Sequence, residues 1–594
     1  MQPEDLFRIE RIGAIAWSPD GLRAAIEIYQ PGPWLDRGIP TADISVLDST
    51  TGAMQTVSRR DPHIIGHYRP AWSPDGRRLA FFSVDGQAVI HPRLWAVGRT
   101  AAERLDDIAL YEGLGDPPTA LWRDPDHVLF LIRDPKEPAG SPLYFSLTRG
   151  KGVADRWTTA RDGREAAVDV IDSRAAAAAE SLPQRRLVIV DAATRAASTL
   201  LTGAIHHPSL AADGRVVTLR RESQPLSQFP ASRVFGPEAV GDAAFDAVNY
   251  GTESVSIDAR TGAAVDPPPA RAPAANDSPR PALRVDRSGD HSSLVLVRPG
   301  QPERTVWMGN PWLAQIRTGR SEAIAYTSAD GKPLTGWLLY PPDHVAGTRL
   351  PIVTMIYPST VYSSSRVPAL FDPITPEFEH PQLFAALGYG VLLPSMPGFE
   401  AVLKGDSIPE LGAGVLPAID ALVSRGIADP GRIAVVGHSA GGWATLGLIA
   451  TTGRFRTAIA SASYSNLESL YGTFYGQYRY GDSGDPRRAQ LLRMLQFERA
   501  LFGAGAPPWE APEAYRRNSP ITRAAAITTP LMLVHGDSDF IPAQQAEEMF
   551  TALYRQDKRV RFVRYAGEGH VITERVHVLD LWRQIARWLD ETMR

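Results

Sequence analysis

The chain of 594 residues contains no cysteine. That absence excludes disulfides, thiolate zinc sites and a cysteine nucleophile, and it leaves the compartment open. No apolar run reaches the roughly 18 residues needed to cross a bilayer, so no membrane association is expected. Charge of one sign is lacking too. The 66 acidic and 62 basic residues leave a net charge of −4, which gives no overall field for nucleic acid or an anionic membrane. The N-terminus, Met1 to Glu10, has neither the basic flank nor the apolar core of a secretory signal. The expected location is therefore cytoplasmic, or periplasmic had a leader been removed. What is present is an ordinary globular composition, 44% hydrophobic and 22% charged. The length exceeds one core, so two large domains are expected.

The first half repeats itself. Ala16-Trp17-Ser-Pro-Asp-Gly21 recurs as Ala71-Trp72-Ser-Pro-Asp-Gly76, with weaker echoes at Trp122, Ala211 and Asp286. A second signature alternates with it, a strand followed by Asp, two residues and Thr-Gly or Thr-Arg, at Asp48, Asp191 and Asp258. Both are turn chemistry flanked by short strands. Repeats of this kind at about 50 residues indicate a β-propeller, with room for six or seven blades before Asn310. His63 with His67, and His206 with His207, lack a full ligand set at metal-site spacing and read as surface or packing residues. The proline-rich stretch Asp266–Pro279 reads as an exposed loop.

Past Pro311 the pattern changes to strands alternating with helices, the mark of a mostly parallel sheet covered on both faces. Its centre is Ile433-Ala-Val-Val-Gly-His-Ser-Ala-Gly-Gly442, a buried strand running into G-x-S-x-G and then into helix-compatible sequence. Such a context places Ser439 on a tight strand-to-helix turn as a nucleophile. The alternative is an idle serine in a glycine-rich turn. The sequence order then calls for an acid and a histidine in later loops at strand ends. Leu531-Met-Leu-Val-His-Gly-Asp-Ser-Asp539 ends one strand with two aspartates, and Tyr565-Ala-Gly-Glu-Gly-His570 ends the next with a histidine. Singly, each has a structural reading; together, in this order, they point to a hydrolase in which His570 moves the Ser439 proton.

These motifs, Gly437-His-Ser-Ala-Gly-Gly442, His535-Gly-Asp-Ser-Asp-Phe-Ile-Pro542 and Gly569-His570, resemble the prolyl oligopeptidase family of serine peptidases. The resemblance covers essentially the whole chain. It implies an N-terminal β-propeller, residues 1–312, followed by a C-terminal α/β-hydrolase domain, residues 313–594, with the first ten or so residues packed on the latter. In the family's His-Gly-x-x-Asp pattern the last position is the triad acid, which selects Asp539 over Asp537. The family's oxyanion tyrosine corresponds to Tyr357 in Ile356-Tyr-Pro-Ser359, and the second donor to the backbone N–H of Ala440. Ala440 stands where family members often have Tyr, and Pro358-Ser359 stands where they have glycines. The resemblance also assigns the aromatic segment from Tyr464 to Tyr478 to the wall of the substrate pocket, with Tyr464, Leu467, Tyr471 and Phe474 as candidates. The alternative is that these rings pack the domain. No acidic pair in the propeller suits a substrate's free amino end, so dipeptidyl release is not implied. Around Trp307–Pro311, Gly505–Trp509 and Tyr515–Pro520 the chain is most similar to lasso-peptide isopeptidases of the family.

The expectation is thus a serine peptidase acting on small peptides without metal or cofactor, its oligomeric state left open. A carboxylesterase with the same triad, or an inert propeller binding protein, is the alternative.

Overall fold

The computed structural model describes residues 1–32, 41–105, 107–112, 117–136, 149–168, 182–222, 252–267, 281–288, 291–375, 377–397, 405–474, 490, 493–494, 496–498, 502 and 504–593. The N-terminal part is assembled from the two turn signatures. The Ser18 hydroxyl donates to Asp20 Oδ1 at 2.6 Å, while Asp20 and Ser18 accept the N–H groups of Leu22 and Arg23. Ser73 and Asp75 repeat these bonds. Each turn closes a hairpin, Arg11–Trp17 with Arg23–Tyr29 and Ile64–Trp72 with Arg78–Asp85. In the second signature Asp48, Asp191 and Asp258 accept N–H groups two and three residues ahead, which is the aspartate turn these sequences favour. The tryptophan of the repeat then ties one hairpin to the one before it. Trp72 Nε1 donates to Ala16 O at 2.8 Å, and Trp122 Nε1 donates to Ala71 O at 2.9 Å.

Between Arg11 and Gly309 the strands form antiparallel sheets of eight, four, three and three strands. The eight-stranded sheet is two blades joined at Ala42 and His67, so the described residues make five blades. Some connections between adjacent strands are long. His127–Ile132 pairs directly with Arg185–Asp191, although more than fifty residues lie between them. Apolar clusters join consecutive blades, and one joins the first to the last, with Ile26 and Ile28 packed beside Leu294 and Leu296. His67 is buried in this region and bonded to Ser58 Oγ and Arg59 O, and burial pulls its pKa down to about 4. Most of the proline-rich loop, from residue 268 on, lies outside the described residues.

The C-terminal sheet has eight strands: β1 (Ser321–Thr327), β2 (Pro333–Leu339), β3 (Leu350–Met355), β4 (Gly390–Leu393), β5 (Ala428–His438), β6 (Thr457–Ser461), β7 (Leu531–Gly536) and β8 (Val560–Tyr565). Their order is β1-β2-β4-β3-β5-β6-β7-β8. β2 is antiparallel to both its neighbours and the rest pair in parallel. Apolar residues alternate between two cores. Ile433 and Val435 of β5 face helices α1 (Gly412–Ser424), α2 (Ala440–Thr451) and α3 (Gln544–Tyr554), while Ala434 and Val436 face α4 (Arg575–Met593). Helical spacing puts Val578, Leu581, Trp582, Ile585, Trp588 and Leu589 on one face of α4, and all six are buried. The window Ser407–Ser424 is long and apolar enough, by length and composition, to cross a membrane. Its Ile408, Leu411, Val415, Ala418, Ile419 and Leu422 are packed in the first core.

Leu6, Phe7 and Ile9 also belong to the core under α4. The Arg575 guanidinium lies 5.3 Å from the centre of the Phe7 ring. The chain then leaves for the propeller beside the point where it returns: Glu10 N–H donates to Asn310 Oδ1 at 2.8 Å, and Asn310 Nδ2 donates to Glu10 O at 2.7 Å.

Candidate active site

Strand β5 delivers Ser439 at φ 57°, ψ −120°, a conformation a non-glycine residue holds only at a cost of about 1–3 kcal/mol. The surroundings impose it. Ser439 N–H donates to Ser461 O at 2.8 Å, and Ser439 O accepts from Trp443 N–H at 3.0 Å, the first bond of α2. The flanking glycines are steric requirements. A Cβ at position 437 would collide with Gly441 O, and one at position 441 would collide with Ile356 O. The hydroxyl therefore stands at the end of the sheet beside the unpaired N–H groups of the first turn of α2, Ala440 among them.

The loops after β7 and β8 meet at the same end. His570 Nδ1 donates to both oxygens of Asp539, at 2.9 and 3.0 Å. Asp539 is fully buried and also accepts the Ile541 N–H at 2.8 Å, with His535 Nε2 3.3 Å from its second oxygen. Burial alone would raise the Asp539 pKa. The charge of His570 and the hydrogen bonds from His535 and His570 outweigh burial and hold the carboxyl well below its usual range. Asp537 points elsewhere and accepts the Gly567 N–H at 2.8 Å. The ring of His438, the residue before Ser439, lies 4.7 Å from that of His570, which puts the imidazole next to the elbow. Among the described residues the Ser439 hydroxyl makes no hydrogen bond, and such contacts commonly tighten only when substrate is bound.

Tyr357 follows β3 and is 50% exposed. The Cβ that position 441 lacks would sit 3.4 Å from its ring, so it lies against the elbow. The four pocket candidates are placed less openly. Tyr464, Leu467 and Tyr471 are buried in the first core, where Tyr464 stacks on Trp443 and the Tyr471 hydroxyl donates to Glu498 at 2.6 Å. They sit behind the site, and only Phe474 keeps a partly open side chain. Residues 475–478 of that segment lie outside the described residues.

Two residues at the site were not singled out by the sequence. Glu568, two before His570, is buried and accepts from Thr573 N–H, Glu574 N–H and His577 Nδ1 at 3.0, 3.0 and 2.8 Å. It anchors the His570 loop to the start of α4. Phe540 lies with its ring 4.2 Å from that of His570. Its place beside Asp539 was its only sequence clue.

The sequence pattern of the prolyl oligopeptidase family matches residues 413–499 and 488–594. The matched residues are those that hold Ser439, Asp539 and His570. Relatives of the chain include the uncharacterized peptidase YuxL of Bacillus subtilis, 27% identical over 315 residues, which are 50% of this chain and 43% of the relative. Another is the lasso peptide isopeptidase AtxE2 of Asticcacaulis excentricus, 26% identical over 295 residues, 47% of this chain and 38% of the relative. These matches thus span less than half the length of either relative. Among solved structures, an acylaminoacyl peptidase of Pyrococcus horikoshii matches 100% of this chain and 97% of its own with a TM-score of 0.63 at 13% identity. At that identity what is shared is the fold, a propeller followed by an α/β-hydrolase domain.

Proposed function

We propose that the protein is a serine peptidase that opens amide bonds of small peptides through an acyl-enzyme. Residues 1–312 would be its propeller and residues 313–594 its catalytic domain. The observation that carries the reading is the bidentate Asp539–His570 pair beside the strained Ser439 elbow. With Nδ1–H committed to Asp539, the His570 Nε2 is left as a base. Ser439 Oγ attacks the carbonyl carbon and its proton passes to Nε2. The C–N bond then breaks as the same proton goes to the leaving nitrogen, and water repeats the sequence to release the acid. The Ala440 N–H and the Tyr357 hydroxyl are the oxyanion donors in this reading, each worth ~10²–10³ in turnover.

The relative that is a lasso peptide isopeptidase supports including isopeptide bonds among the substrates. The test combines fluorophosphonate labelling with profiling on a peptide library that includes isopeptide-linked, constrained members. Ser439→Ala should lose the label and turnover by on the order of 10³ or more while keeping its fold. Equal labelling of parent and variant would rule Ser439 out as the nucleophile.

A further inference from the structure

Phe540 combines features not explained by a role in the core. Its ring lies 4.2 Å from that of His570 with the planes 37° apart, yet it is 45% exposed. The neighbouring Asp539 is fully buried and the His570 side chain is 20% exposed. Nor is it a loose loop tip. Its carbonyl accepts from Arg493 Nη2 at 2.6 Å, and that buried guanidinium also holds Leu470 O at 3.0 Å and Thr473 O. The next residue, Ile541, is fixed by its N–H on Asp539 and by His535 Nε2 on its carbonyl at 2.9 Å. The backbone that carries this ring is thus held on both sides, and the exposed part of an apolar ring favours covering by an apolar group.

The chemistry says which part of a substrate would cover it. A base that takes the Ser439 proton and returns it to the leaving nitrogen must stand beside that nitrogen. A ring that touches the imidazole and opens to solvent is placed to meet what such a nitrogen carries. We propose that Phe540 forms the contact for the residue on the amine side of the scissile bond, and that this contact selects an apolar or aromatic side chain there. The proposal rests on the roles assigned above to Ser439 and His570.

The test uses the full chain and substrates sharing one acyl part, chosen from the library, with glycinamide, leucinamide or phenylalaninamide as the leaving amine. The same amines are then offered to the acyl-enzyme in competition with water. The parent should favour leucinamide and phenylalaninamide over glycinamide in both assays. Phe540→Ala should shrink that ratio by about 10–200-fold, the range for a pocket contact. Phe540→Leu should fall between, and discrimination on the acyl side should stay as in the parent. A ratio that is flat in the parent, or the same in parent and Phe540→Ala, overturns the proposal. So does a uniform loss on all three amines with a displaced acid limb, which would assign the ring to stabilising the imidazolium alone. If the parent takes no fluorophosphonate label, the nucleophile assignment has failed, and this inference fails with it.

Discussion

Asp537 and Asp539 occupy one turn and hold different partners. Asp539 fixes the His570 tautomer from a fully buried site, whereas Asp537 accepts one backbone N–H from the neighbouring loop. On the triad proposed above, Asp539→Asn should lower kcat by ~10⁴ and Asp537→Asn by far less, measured on the same peptide. The sequence offered two aspartates in a turn and only a family pattern to choose between them; the bidentate contact separates them by geometry. The sign of the Asp539 shift also fixes a pH dependence. A carboxyl whose pKa is depressed stays ionised as acid is added, so Asp539 should add no protonation step of its own to the acid limb of kcat/KM. A plot of log kcat/KM against pH should have unit slope on that limb. A slope of two would mean that Asp539 titrates there as well.

At the scale of elements, the loop between β8 and α4 places His570, and Glu568 is what fixes that loop. Its carboxylate satisfies backbone donors at the start of α4 and the His577 ring. In Glu568→Gln an amide NH₂ faces donors, leaving buried groups unpaired at about 1–3 kcal/mol each. Fluorophosphonate labelling should slow by on the order of 10- to 100-fold, because small displacements of a base are that costly, and Tm should fall as well. Unchanged labelling with a lowered Tm would limit Glu568 to stability. The sheet itself was readable because strands such as β5 are apolar on both faces and α4 carries its six core residues at helical spacing. Glu568 was not readable, since its donors are backbone groups that a sequence does not locate. The aromatic segment is ambiguous for a related reason: Tyr464 and Tyr471 suit a pocket wall or a core equally, and both are buried among Trp443, Phe497 and Tyr515.

Across the whole molecule, the two turn signatures foretold a propeller, while connections of irregular length such as residues 133–184 keep its blade number from being read off the repeat spacing. The ends of the described chain matter more to the catalytic domain than its boundaries suggest. Phe7 fills the core under α4, so Phe7→Ala should destabilise the full chain by about 3–5 kcal/mol in denaturant unfolding followed through that domain. A loss seen only in the propeller's transition would contradict the packing. One consequence concerns synthesis. The ribosome makes Leu6, Phe7 and Ile9 more than five hundred residues before the helix they pack against, so this part of the catalytic core cannot form until α4 has been made. Through that interval these side chains are without their native cover, and a chaperone that binds short apolar segments would find them exposed until α4 arrives.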